Sequence, residues 1–211
     1  VDDWWLSEKL EKQIPLFQNL DVGFVCSNYR IVNEKNNSRK LYRKKKIPSG
    51  NVTNSLMLDY SVGLLTLVVK RSAFNSLSFG CDPRFHIIGD MDLVMRLSYN
   101  WEMASIQSPL AYYRIHGENI GPKQRSRTVD ELQIWVDELG KNKDIINLTG
   151  YKKIKKELIY LKGQRCLSKG NISEASCNLK SLPIGKFKIK LMILIVIFVF
   201  SHMRTFVKTK I

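Results

Sequence analysis

Cysteine is scarce in this chain. Cys26, Cys81, Cys166 and Cys177 lie far apart except for the last two, and no C-x-x-C is present. Four thiols at such spacings exclude a disulfide framework and a cysteine-rich metal site, so buried, reduced thiols on a reducing, cytosolic side are expected. Long apolar runs are missing too. The longest, residues 191–200 (LMILIVIFVF), is ten residues. As a helix it measures roughly 15 Å, about half of a ~30 Å hydrocarbon core, too short to span one cleanly. No fixed-period repeat is present, and the chain begins at Val1 without an initiator Met. Acidic residues are nearly absent from the tail, with 3 between residues 141 and 211.

What is present is a chain of 211 residues, 44% hydrophobic and 25% charged. Those are ordinary globular values, which exclude pervasive disorder. The length suits one sizeable core, or a smaller core with a helical appendage, and is too short for two full catalytic domains. The net charge of +15 is unevenly placed: residues 1–140 hold 18 Lys and Arg against 16 Asp and Glu, whereas residues 141–211 hold 16 against 3. A tail at +13 implies an anionic partner, either a membrane surface or nucleic acid. Lysines at 186, 188 and 190 stand directly before the apolar run, and Arg204 follows it. Such flanks can snorkel, so the segment reads as membrane-associating, with a buried strand or core helix as the alternative.

Periodicity gives an α/β layered arrangement in the front of the chain. Ser7 can cap a helix that carries Leu10, Ile14 and Phe17 at helical spacing and ends near Asn19. Residues 22–27 (VGFVCS) and 64–69 (LLTLVV) read as short buried strands, with a basic loop or a pair of edge strands over 33–50. A helix is expected over 71–77. Another should open at Asp90 and carry Leu93, Val94, Leu97 and Trp101, and two strands, 103–107 and 110–115, should flank Pro109. Strands alternating with helices argue for an α/β domain. Beyond His116 the pattern is helical over 128–139, 151–168 and 172–182, with a Gly170-Asn171 break before the last.

Three constellations carry chemistry. Asp2 and Asp3 are adjacent carboxylates, suited to a divalent cation that takes oxygen ligands and leaves room for diphosphate, or else to a solvated turn. Asp90 and Asp92 follow an apolar stretch and open a helix. Two residues apart they point in different directions, so one can be held as a base by free helix N–H groups, or cap the helix. Arg114 and His116 end a strand, where guanidinium can neutralise phosphate and imidazole can complete a coordination shell, or both can be structural. Trp4, Trp5 and Trp101 can form a sugar platform, although burial in the core is the default for Trp.

The run Asp2-Asp3-Trp4-Trp5-Leu6-Ser7-Glu8-Lys9-Leu10-Glu11-Lys12-Gln13 resembles the segment after the Asp-x-Asp motif of family 2 glycosyltransferases. Similar stretches follow in family order: Val25-Cys26-Ser27-Asn28-Tyr29, Lys70-Arg71-Ser72-Ala73-Phe74, Cys81-Asp82-Pro83-Arg84-Phe85, Gly89-Asp90-Met91-Asp92-Leu93 and Tyr113-Arg114-Ile115-His116. The resemblance covers residues 1 to about 122. It implies an α/β fold: a truncated GT-A-like, Rossmann-like mixed sheet flanked by helices, then a helical appendage and a basic hydrophobic carboxy-terminal segment. The implied boundaries are 1–122 for the carboxy-terminal part of the catalytic domain, 123–182 for the appendage and 183–211 for the membrane-associating segment.

The resemblance also implies roles. Asp2 matches the second Asp of Asp-x-Asp, with the first expected immediately before Val1 and a nucleotide-binding half before that. Asp2, Asp3 and His116 are the implied ligands of Mn2+ or Mg2+, and Arg114 would meet the diphosphate. Asp90 is the implied general base, with Asp92 the second candidate because the family's Glu is replaced here by Gly89. The expected activity is inverting transfer from a nucleotide-diphosphate sugar to a hydroxyl of a glycan or lipid-linked acceptor, in envelope polysaccharide synthesis, at the inner face of the cell membrane. A basic nucleic-acid-binding protein is the rival from another class, disfavoured by the lack of any binding motif. A catalytically inactive scaffold is the third.

Overall fold

The β-branched run that begins at Val22 grows into a twelve-residue strand, β2 (Val22–Asn33), buried along its first eight positions. It lies parallel to the fourteen-residue β5 (Glu102–Ile115). These two strands are the centre of a five-stranded mixed sheet. On its outer side β5 carries the short antiparallel strand β1 (Trp4–Trp5), while β2 pairs antiparallel with β3 (Ser38–Leu41) near its end and with β4 (Val68–Val69) near its start. The computed structural model describes residues 3–33, 38–115 and 124–208. The chain divides into two compact units, Val1–Arg125 and Ser126–Ile211.

Helices flank the sheet, as the α/β expectation requires, but several elements differ from the sequence reading. Helix α1 (Lys9–Gln13) is one short turn and a half, followed by a 3-10 turn over Ile14–Gln18 where Pro15 cannot donate to a continuing helix. Ser7 does not cap it; its hydroxyl meets Glu8 instead. The buried face is also inverted: Leu10 and Ile14 are about half exposed, whereas Lys9 and Gln13 are fully buried. Polar contacts decide this. The Gln13 amide donates to the Thr66 carbonyl at 2.9 Å, and the Lys9 ammonium sits 4.0 Å from the centre of the Trp5 ring.

Residues 64–69 split into a 3-10 turn, Leu64–Thr66, and the two-residue β4, so only Val68 and Val69 join the sheet. The two strands expected around Pro109 are one. Pro109 sits opposite Asn28, where the β2 to β5 register slips, so the missing N–H falls at an irregularity and the strand continues. Helix α2 (Thr53–Leu58) was not expected from the sequence; α3 (Arg71–Asn75) and α4 (Gly89–Ser98) were. Of the four free cysteines, Cys26 and Cys166 are buried, but Cys81 and Cys177 are exposed, contrary to expectation. Burial pushes the Cys26 thiol up to about 12.

In the second unit α5 (Arg125–Leu139) and α6 (Lys143–Ile146) precede a three-helix arrangement of α7 (Thr149–Ser168), α8 (Ile172–Ser181) and α9 (Lys186–Lys208). Gly170 supplies the positive φ of 77° that ends α7, and Asn171 accepts from the Glu174 N–H to cap α8. The core of these helices gathers Cys166, Leu167, Ala175, Leu182 and Leu191. No helix among the described residues is long and apolar enough to cross a membrane.

Candidate active site

Helix α4 runs back along the sheet between the parallel strands. A Cβ on Gly23, at the start of β2, would strike Trp101, just beyond the end of α4, at 2.5 Å. The carboxyl end of α4 therefore meets the beginning of β2. Asp90 stands at the other end of the helix, in its first turn, where its charge acts on Tyr60. Asp90 accepts from the Met91 N–H at 2.8 Å. Its pKa is raised because burial disfavours the charged carboxylate, against the main-chain N–H groups of Met91 and of Asp90 itself, which favour it. A carboxyl tuned upward in this way is a better base at neutral pH than an ordinary aspartate.

The fold assembles a group of tyrosines, one of which, Tyr60, feels the charge of Asp90. Tyr29 stacks on Tyr42 with ring centres 4.2 Å apart and meets Tyr113 edge-on at 6.3 Å. Gly63 allows Tyr29 to lie flat on the backbone, since a Cβ there would fall 2.5 Å from its ring. Asn28 fixes the loop beneath, donating to the Arg43 carbonyl at 2.7 Å and accepting from the Arg43 N–H. Arg43 in turn pairs with Asp59, and Tyr60 follows. The Tyr60 hydroxyl is buried with no hydrogen-bond partner among the described residues. Its pKa is pushed up first by burial and next by the negative charge of Asp90, with Tyr42 and Tyr29 also acting on it. Tyr29 is raised by burial first, and Asp3 contributes. Asp3 and Asp90 therefore border one tyrosine group.

Asp3 is held from the far strand: its carboxylate accepts the Arg114 main-chain N–H at 3.0 Å, one step beyond the β1 to β5 pairing of Trp4 with Tyr112. Arg114 and Asp3 are thus brought together. Asp92 is placed elsewhere. Its buried carboxylate accepts from the Arg96 guanidinium at 2.8 and 2.9 Å, and Arg96 also donates to the Phe79 and Gly80 carbonyls at 2.8 and 2.6 Å. That pair ties the 79–80 turn to α4. Asp2 and His116 lie outside the described residues. Among the described residues no three His, Cys, Asp or Glu side chains gather where a metal ion could sit. Trp4 and Trp5 are 43% and 54% exposed, not core residues as expected; Trp4 stacks on Tyr112 at 4.9 Å.

No family model matches the chain. Over 78 residues, however, it is 33% identical to the UDP-Glc:alpha-D-GlcNAc-diphosphoundecaprenol beta-1,3-glucosyltransferase WfgD of Escherichia coli, a match covering 37% of this chain and 29% of that protein. Over those 78 residues the chain is similar to a glycosyltransferase. It spans less than a third of that relative's length. Sequence reasoning assigned no role to the tyrosine group of Tyr29, Tyr42 and Tyr60. Tyr29 stood inside a quoted motif, but the other two come from a loop and the end of α2, where no periodicity marks a side chain as inward-facing.

Proposed function

We propose that the chain forms part of an inverting glycosyltransferase that moves a sugar from a nucleotide-diphosphate sugar to a hydroxyl of a glycan or lipid-linked acceptor, in envelope polysaccharide synthesis. The observation that carries this reading is Asp90, a half-buried carboxyl in the first turn of α4, bonded to the Met91 N–H and acting on the buried Tyr60 hydroxyl, with its pKa raised by burial. Asp90 takes the proton of the acceptor hydroxyl as that oxygen bonds to the anomeric carbon. The bond to the diphosphate oxygen breaks on the opposite face, and the configuration inverts. The exposed Trp4 ring, stacked on the half-buried Tyr112, offers a flat apolar surface to a sugar ring. Asp92, already satisfied by Arg96, acts as a positioning residue for the turn beneath α4.

Mn2+ or Mg2+ is the proposed cofactor, with Asp2, Asp3 and His116 as its ligands and Arg114 beside the diphosphate. An oxygen-rich set suits these hard cations, and the Asp3 carboxylate, which among the described residues accepts one main-chain N–H, has lone pairs left for a metal. When bound, the ion neutralises charge on the departing diphosphate. The basic second unit keeps the enzyme at the anionic inner face of the cell membrane, as a peripheral protein. UDP-glucose and a diphospholipid-linked N-acetylglucosamine, the pair in the name of the Escherichia coli relative, are the first substrates to assay. In the intact protein Asp90→Asn is expected to lower product formation at least about a hundredfold, the lower end of what general-base catalysis contributes, and chelation of divalent cations to stop it. Full turnover by that variant would remove Asp90 from the reaction.

A further inference from the structure

Helix α9 is apolar on two opposite faces. One face, with Phe187, Leu191, Leu194 and Phe198, packs into the core formed with α7 and α8. The other carries Ile189, Met192, Ile193, Val196 and Ile197, spaced at three and four residues, each about half exposed. The stripe runs about 12 Å along the helix. Lys186, Lys188 and Lys190 stand at its amino end, on either side of the stripe. An apolar strip with lysines at one end matches the charge and polarity profile of an anionic bilayer surface, where the apolar side chains enter and the ammonium groups stay at headgroup level.

At the root of that helix is a cavity of about 370 Å³. Lys152, Lys153, Lys156 and Lys186 line it together with Ile184 and Phe187. Gly185, in the same wall, has a φ of 152° that other residues rarely adopt, and its carbonyl accepts the first hydrogen bond of α9. The free N–H groups of a 23-residue helix thus open beside four ammonium groups. Lys153 pairs with Glu157 at 3.4 Å, so the positive charge of the cavity rests mainly on Lys152, Lys156 and Lys186. Ile184, 93% exposed, stands at its lip. Cation, helix amino end and apolar rim together fit a phosphate group whose remainder is lipid.

We propose that this cavity binds the phosphate of an anionic phospholipid, seating α9 flat in the membrane interface with Ile189, Met192, Ile193, Val196 and Ile197 in the acyl boundary. The inference deepens the membrane placement proposed above and rests on it. Sedimentation of the full chain with vesicles of phosphatidylcholine, with and without phosphatidylglycerol, tests both. The wild type is expected to favour the phosphatidylglycerol vesicles. The variant K152Q/K156Q/K186Q should lose about a hundredfold in affinity for them, at about fivefold per lysine. K155Q/K162Q/K169Q, which removes as many charges from α7 and its end outside the cavity, should lose tenfold or less. Glycerol 3-phosphate should displace the protein from vesicles better than sodium chloride at equal ionic strength. Equal losses from the two lysine triples, or displacement no better than by chloride, would overturn the cavity site and leave the membrane reading standing. Retention of vesicle binding by I193E/V196E, or tighter binding to a DNA duplex than to vesicles, would overturn the membrane reading itself. Circular dichroism of each variant, unchanged from the wild type, assigns the losses to binding.

Discussion

Asp90 and Asp92 are two residues apart on one helix and meet opposite surroundings. The Asp92 carboxylate is buried against Arg96, so Asp92→Asn strands a guanidinium in a desolvated place and is expected to cost about 3 kcal/mol of stability. Among the described residues no cation of that kind pairs with Asp90, and burial works against its charge. A carboxyl with a raised pKa contributes stability that is present below the ordinary aspartate range and lost as pH rises through its folded value. Asp90→Asn should therefore match the wild type at acid pH and equal or exceed it at pH 7. Urea denaturation at both pH values checks this, and a loss at pH 7 as large as that of Asp92→Asn would contradict it. Lys9 gives the converse case: burial lowers its pKa from 10.5 to about 8, so the unfolded chain holds more protons between those values and stability rises with pH across that window. Lys9→Met should stabilise the protein at pH 7, with the gain fading above pH 10; a gain independent of pH would show that the charge is not what costs. At this scale motif order singled out Asp3 and Asp90 as candidates, and the roles proposed for them rest on that order. The tyrosines were not singled out, since Tyr42 meets Tyr29, and Tyr60 meets Asp90, only through the folding of loops held by Asn28 and Arg43.

Elements were legible where apolar periodicity and packing agree, as in α4, α7 and α8, and illegible where a polar contact or a register slip intervened. The apolar spacing of Leu10 and Ile14 pointed to the wrong face of α1 because the bond from Gln13 to Thr66 and the Lys9 to Trp5 contact turn the helix over. Pro109 reads as a break, yet the slip opposite Asn28 absorbs it. Two glycines set how closely elements approach, and neither could be assigned that task from sequence. A Cβ at Gly23 would fall 2.5 and 2.6 Å from the Cβ and Cγ of Trp101, the first of which moves only with the backbone. Gly23→Ala should thus cost about 1–3 kcal/mol by overpacking despite relieving a glycine in a strand. Gly163 lies against Leu191, whose methyl carbons would be 2.5 and 2.9 Å from a new Cβ. Gly163→Val should separate α7 from α9 and lower the melting temperature by several degrees, at about 2 kcal/mol. Thermal unfolding measures both, and unchanged midpoints would mean that these contacts yield without strain.

Across the whole molecule the charge is split between a nearly neutral front and a tail at +13, and the apolar stripe of α9 falls within the basic part. Two forces then act on one surface, and salt separates them. Raising sodium chloride from about 0.1 M to about 1 M shortens the screening length from about 10 Å to about 3 Å, which removes most of the attraction between lysines and an anionic surface. Burial of apolar side chains is not weakened by that change. Binding of the chain to phosphatidylglycerol vesicles should therefore fall steeply over this range and level off at a residual affinity, and the residue should be absent in I193E/V196E. A nucleic-acid binder of the same charge would instead lose affinity in proportion to the logarithm of salt throughout, with no plateau. A vesicle-binding curve that falls to zero with the same slope would leave charge alone as the attraction and assign the exposed face of α9 to some other cover.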